Sequence, residues 1–250
     1  MHISFNKSKF MAFAHRGGTE FAPENTYEAF SAAVETGYKY LETDVHPNAD
    51  EKLMAFHDST LDRVTNYKGK IRDFTSQELK KIRVNDKFQI PFLEDLLDSF
   101  SQNYFSIDMK SDESVIPLIK LVRKMNAIDR VCFASFNQQR LDYVREEFSN
   151  KCISSMGPKE IVKTKLCSIF NIKHNVLPLI SSLPIKRYKI ELLNKKHVDF
   201  LKSLNIKVIA WTINDANEIT RLIDLGVDGI MTDKISALKE ILIKKNLWQH

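Results

Sequence analysis

The feature that most constrains this chain is an alternation of short apolar runs with amphipathic segments that continues almost from end to end. Spans 10–15, 40–46, 52–57, 104–110, 130–136, 151–156, 207–214 and 229–233 are the short apolar runs and read as strands. Spans 25–36, 113–125, 138–148, 158–170, 195–204 and 216–225 place apolar residues three and four apart, and so read as helices. Leu118, Leu121, Val122 and Met125 show that spacing, as do Ile219, Leu222, Ile223 and Leu225. Strands that alternate with helices form a parallel sheet with helices against its face. Eight strands in 250 residues then point to an α/β fold, a closed (β/α)8 TIM barrel, over an open doubly wound sheet.

The length suits one domain covering residues 1–250. Two stretches interrupt the pattern. Residues 59–91 are polar, with one short helical pattern at 75–82, and separate the third strand from a helix at 92–100. They read as a small insertion over the barrel mouth, with too few apolar residues for a core of their own. In residues 171–188, Pro178 and Pro184 break an apolar run and leave its structure ambiguous.

Composition narrows the function classes. With 37 basic and 32 acidic residues the formal charge is +5, spread over Lys-rich segments such as Lys80-Lys81, Lys195-Lys196 and Lys244-Lys245. So mild a charge argues against nucleic acid as the partner, and the basic runs read as solvated helix faces. Cys132, Cys152 and Cys167 are odd in number and widely spaced, which fits reduced thiols better than a zinc site or a disulfide framework. No apolar run reaches the ~20 residues of a membrane span, and the N-terminal stretch is too polar for a signal peptide. The expected location is the cytoplasm, with no stable membrane insertion.

In a (β/α)8 barrel the C-terminal strand ends build the active site. His15, Glu42 with Asp44, His57, Asp108 with Lys110, Phe136, and Trp211 with Asn214 all fall at or near such ends. His15, Arg16, Glu24, Glu42, Asp44, His57 and Asp58 lie within one stretch of 44 residues, and their chemistry is that of phosphoryl transfer. Glu42 and Asp44 share one strand face, so both can grip a hard cation, and oxygen donors favour Mg2+, Mn2+ or Ca2+ over zinc. Two imidazoles can trade protons near neutral pH, and an arginine can hold phosphate oxygens.

AHRGG at 14–18, PENT at 23–26, LETDV at 41–45, FHDSTLDRVT at 56–65, SIDMK at 106–110, ASF at 134–136, WTIN at 211–214 and GVDGIMTDK at 226–234 occur in that order. Together they resemble the motif series of the glycerophosphodiester phosphodiesterase family, over about residues 10–235. The resemblance implies a TIM-barrel hydrolase that uses one divalent cation, Mg2+ or Ca2+ with Mn2+ admissible, to cleave a small-molecule glycerophosphodiester into glycerol 3-phosphate and an alcohol. It implies Glu42, Asp44 and Asp108 as cation ligands, Arg16 and Lys110 as phosphate binders, His15 as base and His57 as acid. Glu24 would support the site by ordering Arg16 or a metal-bound water. At residue 108 the family usually carries Glu, so Asp108 is one methylene short.

Other residues receive lesser roles. Phe136 and Trp211 are candidates for an apolar wall against the glycerol carbons. Asn25 or Thr26 is expected to cap the first helix, Asp58 and Arg63 to order their loop, Asp228 and Asp233 to terminate the last strand, and His46 to stand by. The attacking group is either a glycerol hydroxyl, giving a cyclic phosphate, or water. Two rival readings share the fold: a lysophospholipase D acting on lysophospholipids, which needs an apolar groove that Tyr67, Phe74, Phe88 and Ile90 could supply, and a non-catalytic phosphodiester-binding barrel. Head-group preference and oligomeric state are left open.

Overall fold

The computed structural model describes residues 8–187 and 189–248. Its strands are, in chain order, β1 Met11–Ala14, β2 Tyr40–Pro47, β3 Leu53–Ala55, β4 Arg83–Val84, β5 Phe88–Gln89, β6 Tyr104–Met109, β7 Val131–Ala134, β8 Ile153–Ser154, β9 Ile180–Leu183, β10 Lys186–Arg187, β11 Ile190–Glu191, β12 Lys207–Ala210 and β13 Gly229–Thr232. Eight of them run parallel in the order β8-β7-β6-β2-β1-β13-β12-β9. Ser155 bridges to Ile180 in parallel, and the Met156 amide donates to the Ile180 carbonyl at 2.8 Å, so β8 meets β9 and the ring closes as a (β/α)8 TIM barrel.

The helices among the described residues are α1 Tyr27–Thr36, α2 Ser76–Leu79, α3 Leu93–Ser99, α4 Val115–Lys124, α5 Gln138–Glu147, α6 Pro158–Phe170, α7 Lys195–Ser203, α8 Ala216–Leu225 and α9 Ile235–Lys244. In α8 the local signals agree with the packing. The Asp215 carboxylate accepts the Glu218 amide at 2.8 Å, Ile219 and Leu222 are buried, and Gly226 stops the helix at a φ of 97°. No helix among the described residues is long and apolar enough to cross a membrane.

The period-two alternation of the strands separates two cores. Met11 and Phe13 of β1, Tyr40 of β2, Cys132 of β7, Ile153 of β8, Ile180 of β9, Ile209 of β12 and Met231 of β13 form the barrel interior. Their neighbours, Ala12, Leu41, Phe105, Phe133, Val208 and Ile230, point outward into the layer shared with the helices. On β2 the interior row continues from Tyr40 to Glu42 and Asp44, and on β6 it reaches Asp108. The register pairs Asp44 with Asp108 directly, so a single parity rule carries the carboxylates to the mouth.

Two expectations change. The run at 52–57 contains β3, which pairs antiparallel with the extended end of β2 (Val45 with Ala55, Pro47 with Leu53), and is no barrel strand. The eighth barrel strand is β9, inside the stretch 171–188 whose last residue, Tyr188, lies outside the described residues. Its two prolines flank the strand without entering it, where they remove no ladder hydrogen bond. The insertion also differs. Leu61, Ile71, Leu79, Ile82, Val84 and Ile90 join Met54 and Phe56 in a small buried cluster, with Phe74 and Phe88 packed against it. Phe74, Phe88 and Ile90 are thereby drawn into the packing of the insertion itself, whereas Tyr67 stays exposed. The terminal helix α9 was not among the expected segments.

Gly229 marks the tightest point of the closure. A Cβ there would lie 2.4 Å from the Met11 carbonyl oxygen and 2.7 Å from the Ile209 Cδ1. Gly229→Ala is therefore expected to force β1 and β13 apart and cost about 1–3 kcal/mol, the usual range for overpacking. A urea denaturation midpoint equal to that of the wild type would refute the close approach.

Candidate active site

The site starts where β1 ends. His15 is followed by three residues in left-handed backbone, Arg16 at φ 52°, Gly17 at 84° and Gly18 at 80°. Gly17 and Gly18 are required for space as well, since a Cβ would come within 2.9 Å of the Phe30 amide nitrogen or 2.7 Å of Ile235 Cγ2. Arg16 tolerates the strain because its turned amide donates to Glu42 Oε2 at 3.0 Å, a trade of roughly 1–2 kcal/mol against one charge-assisted hydrogen bond. Its guanidinium donates through Nη1 to Glu24 Oε1 at 2.9 Å and has Nε 3.2 Å from Asp44 Oδ2.

Asn25 ties this loop to the second strand. Its amide nitrogen donates to the Arg16 carbonyl at 2.8 Å, its Nδ2 donates to Asp44 Oδ2 at 3.2 Å, and its Oδ1 accepts from the Thr43 hydroxyl at 2.8 Å. The helix-capping role falls to Thr26, whose hydroxyl accepts the Ala29 amide.

Each candidate histidine carries a carboxylate on Nδ1. His15 Nδ1 lies 2.7 Å from Asp233 Oδ1, and His57 Nδ1 lies 2.6 Å from Asp58 Oδ1. Asp233 is itself held by Asn214 Nδ2 at 2.7 Å, and Asp58 by Arg63 Nε at 2.5 Å. On each ring Nε2 is the nitrogen that this carboxylate does not engage. On His15 that atom is 3.9 Å from Glu42 Oε2 and 3.5 Å from the Thr212 hydroxyl. Asp58 and Asp233 therefore do more than order a loop or end a strand. Asp58 follows His57 directly in sequence, whereas Asp233 comes beside His15 only through the register that pairs Ala14 with Thr232.

Electrostatics bind the site together. Burial, and then the neighbouring Asp44, push the Glu42 carboxyl up to about 7. Burial also raises Asp108, with Asp44 adding to the shift against the opposing Lys110. For Asp44 burial acts upward too, but Lys110, Arg16 and His57 together hold it below its ordinary value. Lys110 Nζ stands 3.1 Å from both Asp44 Oδ1 and Asp108 Oδ2, and these carboxylates raise its pKa against the pull of burial. Asp108 Oδ1 is buried with no hydrogen-bond partner. Among the described residues no three His, Cys, Asp or Glu side chains converge as a ready-made cation cage, and Lys110 spans two of the acids.

The remaining candidates take their places around this centre. Phe136 and Trp211 meet edge to face, 5.7 Å between centroids, with Lys110 5.8 Å and Arg187 5.9 Å from the Phe136 ring. Glu24 bridges Arg16 and Arg63, accepting from Arg63 at 2.6 Å and 3.1 Å. His46 Nε2 donates to the His57 carbonyl at 3.1 Å. A cleft of about 1110 Å3 opens beside His46 and Lys110, where Lys52, Glu94 and Lys120 share the wall with Leu53, Ile116 and Leu121.

The sequence profile of the glycerophosphoryl diester phosphodiesterase family matches residues 15–237. The chain belongs to that family. It is 30% identical over 251 residues to a glycerophosphodiester phosphodiesterase of Caldanaerobacter subterraneus subsp. tengcongensis, covering 94% of this chain and 99% of the relative. It is 28% identical to a glycerophosphodiester phosphodiesterase of Bacillus altitudinis, covering 88% and 93%. Among solved structures it resembles an Oleispira antarctica phosphodiesterase in complex with the product sn-glycerol-3-phosphate, with a TM-score of 0.79 at 21% identity, covering 97% of this chain and 99% of that one. This phosphodiesterase thus has the fold of those solved relatives.

The His15–Asp233 pair gives a test with a definite sign. Burial works to lower the His15 pKa, but the Asp233 hydrogen bond and the charges of Glu42 and Asp233 outweigh it and raise the pKa above 6.5. Asp233 is lowered from 3.8, burial again opposing its partners. The pair's stabilisation is thus fully present between about pH 4 and pH 6.5; it fades as pH rises through the His15 folded pKa or falls through that of Asp233. Asp233→Asn should lower the His15 pKa in an NMR titration and lose most stability within that window. A His15 titration unmoved by the substitution would contradict the assignment.

Proposed function

We propose that this family member is a divalent-cation-dependent hydrolase of small glycerophosphodiesters, releasing glycerol 3-phosphate and an alcohol by general acid–base catalysis with His15 and His57. The observation that carries the reading is the matched pair of imidazoles, each held on Nδ1 by its own carboxylate at the rim of a buried acidic cluster. His15 would take the proton from the attacking oxygen; its raised pKa brings it closer to the working range of a base at neutral pH. His57, the more exposed ring, would return a proton to the departing alkoxide. Arg16 and Lys110 would neutralise phosphate oxygens as charge builds on them. Phe136 and Trp211 would flank the glycerol carbons, and residues 59–91 would act as part of the same domain.

Glu42, Asp44 and Asp108 fit a hard cation by their chemistry. All three donate oxygen, Glu42 and Asp108 are held above their ordinary pKa values by burial and crowding, and Asp108 Oδ1 has no partner. A bound Mg2+, Ca2+ or Mn2+ would supply electrostatic stabilisation of the phosphoryl oxygens. Lys110 would have to share or release the Asp44 and Asp108 oxygens that it now holds.

A coupled glycerol 3-phosphate assay tests the whole reading. His15→Ala and His57→Ala should each lower kcat by about 10²–10⁴, and EDTA should abolish turnover until a cation is restored. Turnover that survives both EDTA and His15→Ala would overturn it. Calorimetric cation titration of the wild type beside Asp108→Glu should show altered affinity or preference, because one methylene changes the reach of that ligand. Identical binding isotherms would remove Asp108 from the ligand set.

A further inference from the structure

Helix α6 is inside out. It buries Thr164 and Ser168, whose hydroxyls donate back to the Glu160 and Lys165 carbonyls, and of its large apolar residues only Ile161 packs against the core while the rest face solvent. Val162, Leu166, Ile169 and Phe170 are 60%, 55%, 51% and 70% exposed, and their spacing of four, three and one places them on one stripe. The segment that follows exposes Ile172, Leu177 and Leu179, and β11 exposes Ile190. Eight of the fifteen large apolar side chains exposed among the described residues fall in this short stretch of chain. A concentration of that kind marks an interaction surface, where scattered single residues would not.

Charge shares the same region. Residues 158–197 carry nine Lys or Arg and two Glu, a net +7 in a chain whose total is +5. One of those acids, Glu160, is already held by the buried Arg145 at 2.8 Å. On the helix, Lys163 and Lys165 lie on either side of the apolar stripe, and Lys159 stands at its N-terminal end. The surface continues to the barrel mouth. Lys196 Nζ donates to the Ile169 carbonyl at 2.8 Å, which brings the end of α6 beside the start of α7, and Arg187 of β10 stands over Phe136 at the rim.

We propose that the exposed stripe of α6, with the basic β10–β11 hairpin beside it, docks this enzyme on an anionic lipid bilayer, with Leu166, Ile169 and Phe170 at the acyl boundary and the flanking lysines among the headgroups. An apolar helical stripe edged by lysine is the pattern of an interfacial helix, and its length and polarity keep it on the surface without spanning. Each basic residue near an anionic leaflet strengthens binding roughly five-fold, given about 1 kcal/mol apiece. A symmetric pair of copies meeting on this face would set one +7 segment against another, which disfavours self-association as the explanation. Docking here would bring the mouth beside a membrane, where phosphodiesters derived from lipids are released. The inference does not rest on the proposed catalytic roles, because its test reads binding and not turnover.

The experiment is cosedimentation of the full chain with phosphatidylcholine vesicles and with vesicles containing phosphatidylglycerol, at low and high salt. Binding should require the anionic lipid and weaken as salt rises. Leu166→Ser/Phe170→Ser should weaken it by about ten-fold or more, and Lys163→Glu/Lys165→Glu by a similar factor, with circular dichroism unchanged in both. The proposal is overturned if wild type ignores anionic vesicles at low salt, or if the Leu166→Ser/Phe170→Ser variant binds as tightly as wild type. It is equally overturned if sedimentation velocity shows a wild-type oligomer that this variant dissociates, since a second copy would then cover the stripe.

Discussion

Three carboxylates crowded into the mouth of the barrel are the constraint around which the rest of the site is arranged. Glu42, Asp44 and Asp108 are all buried, and like charges at close range in a poorly solvated place repel by several kcal/mol unless something offsets them. Arg16 and Lys110 are the offset. The Arg16 guanidinium reaches Asp44 on one side while its amide serves Glu42, and Lys110 sits between Asp44 and Asp108. The compensation is uneven. Asp44 receives both cations and stays ionised readily, whereas Glu42 receives only a backbone amide and a distant imidazole, and its carboxyl is pushed upward. A cluster left short of positive charge on one side is suited to bind more of it.

The strained turn after β1 follows from the same demand. A normal right-handed residue at position 16 would not aim its amide at Glu42; only the run of positive φ through Arg16, Gly17 and Gly18 does so. The two glycines are fixed by backbone contacts with α1 and by Ile235 of α9, so the outer helices hold the turn from behind. The packing of α1 and α9 against β1 thereby supports the electrostatics of the mouth.

Much of this could be read from the chain, for identifiable reasons. A period of two on β2 and β6 is enough to place Glu42, Asp44 and Asp108 on one interior face, and a long amphipathic helix such as α8 declares itself by spacing and caps. The failures occurred where local pattern and tertiary pairing part company. The run at 52–57 has every mark of a strand and is one in part, but nothing local tells an antiparallel partner of β2 from a member of the parallel ring. β9 was obscured because its four residues include two serines between prolines, and its identity comes from the neighbours that pair with it. The insertion was judged too polar for a core because Met54 and Phe56, which complete its cluster, lie outside it. Asp233 looked like a strand terminator because its partner, His15, is 218 residues away in sequence and adjacent only after closure.

Closure also explains how distant motifs come to act together. Glu24 follows β1, Asp58 follows β3 and Arg63 begins the insertion, yet Arg63 grips both acids while Glu24 also holds Arg16. A continuous chain of ion pairs therefore runs from Arg16 to the carboxylate behind His57. Arg63 is about half exposed, so any single contact in the chain is worth little in isolation. Its value lies in geometry. A fork that binds two carboxylates from different loops fixes their separation, and that separation sets where the His57 ring stands relative to Arg16. Since the insertion supplies Arg63 and packs a small core of its own beneath it, the segment that looked like a loose covering is better understood as a rigid mount for one side of the site.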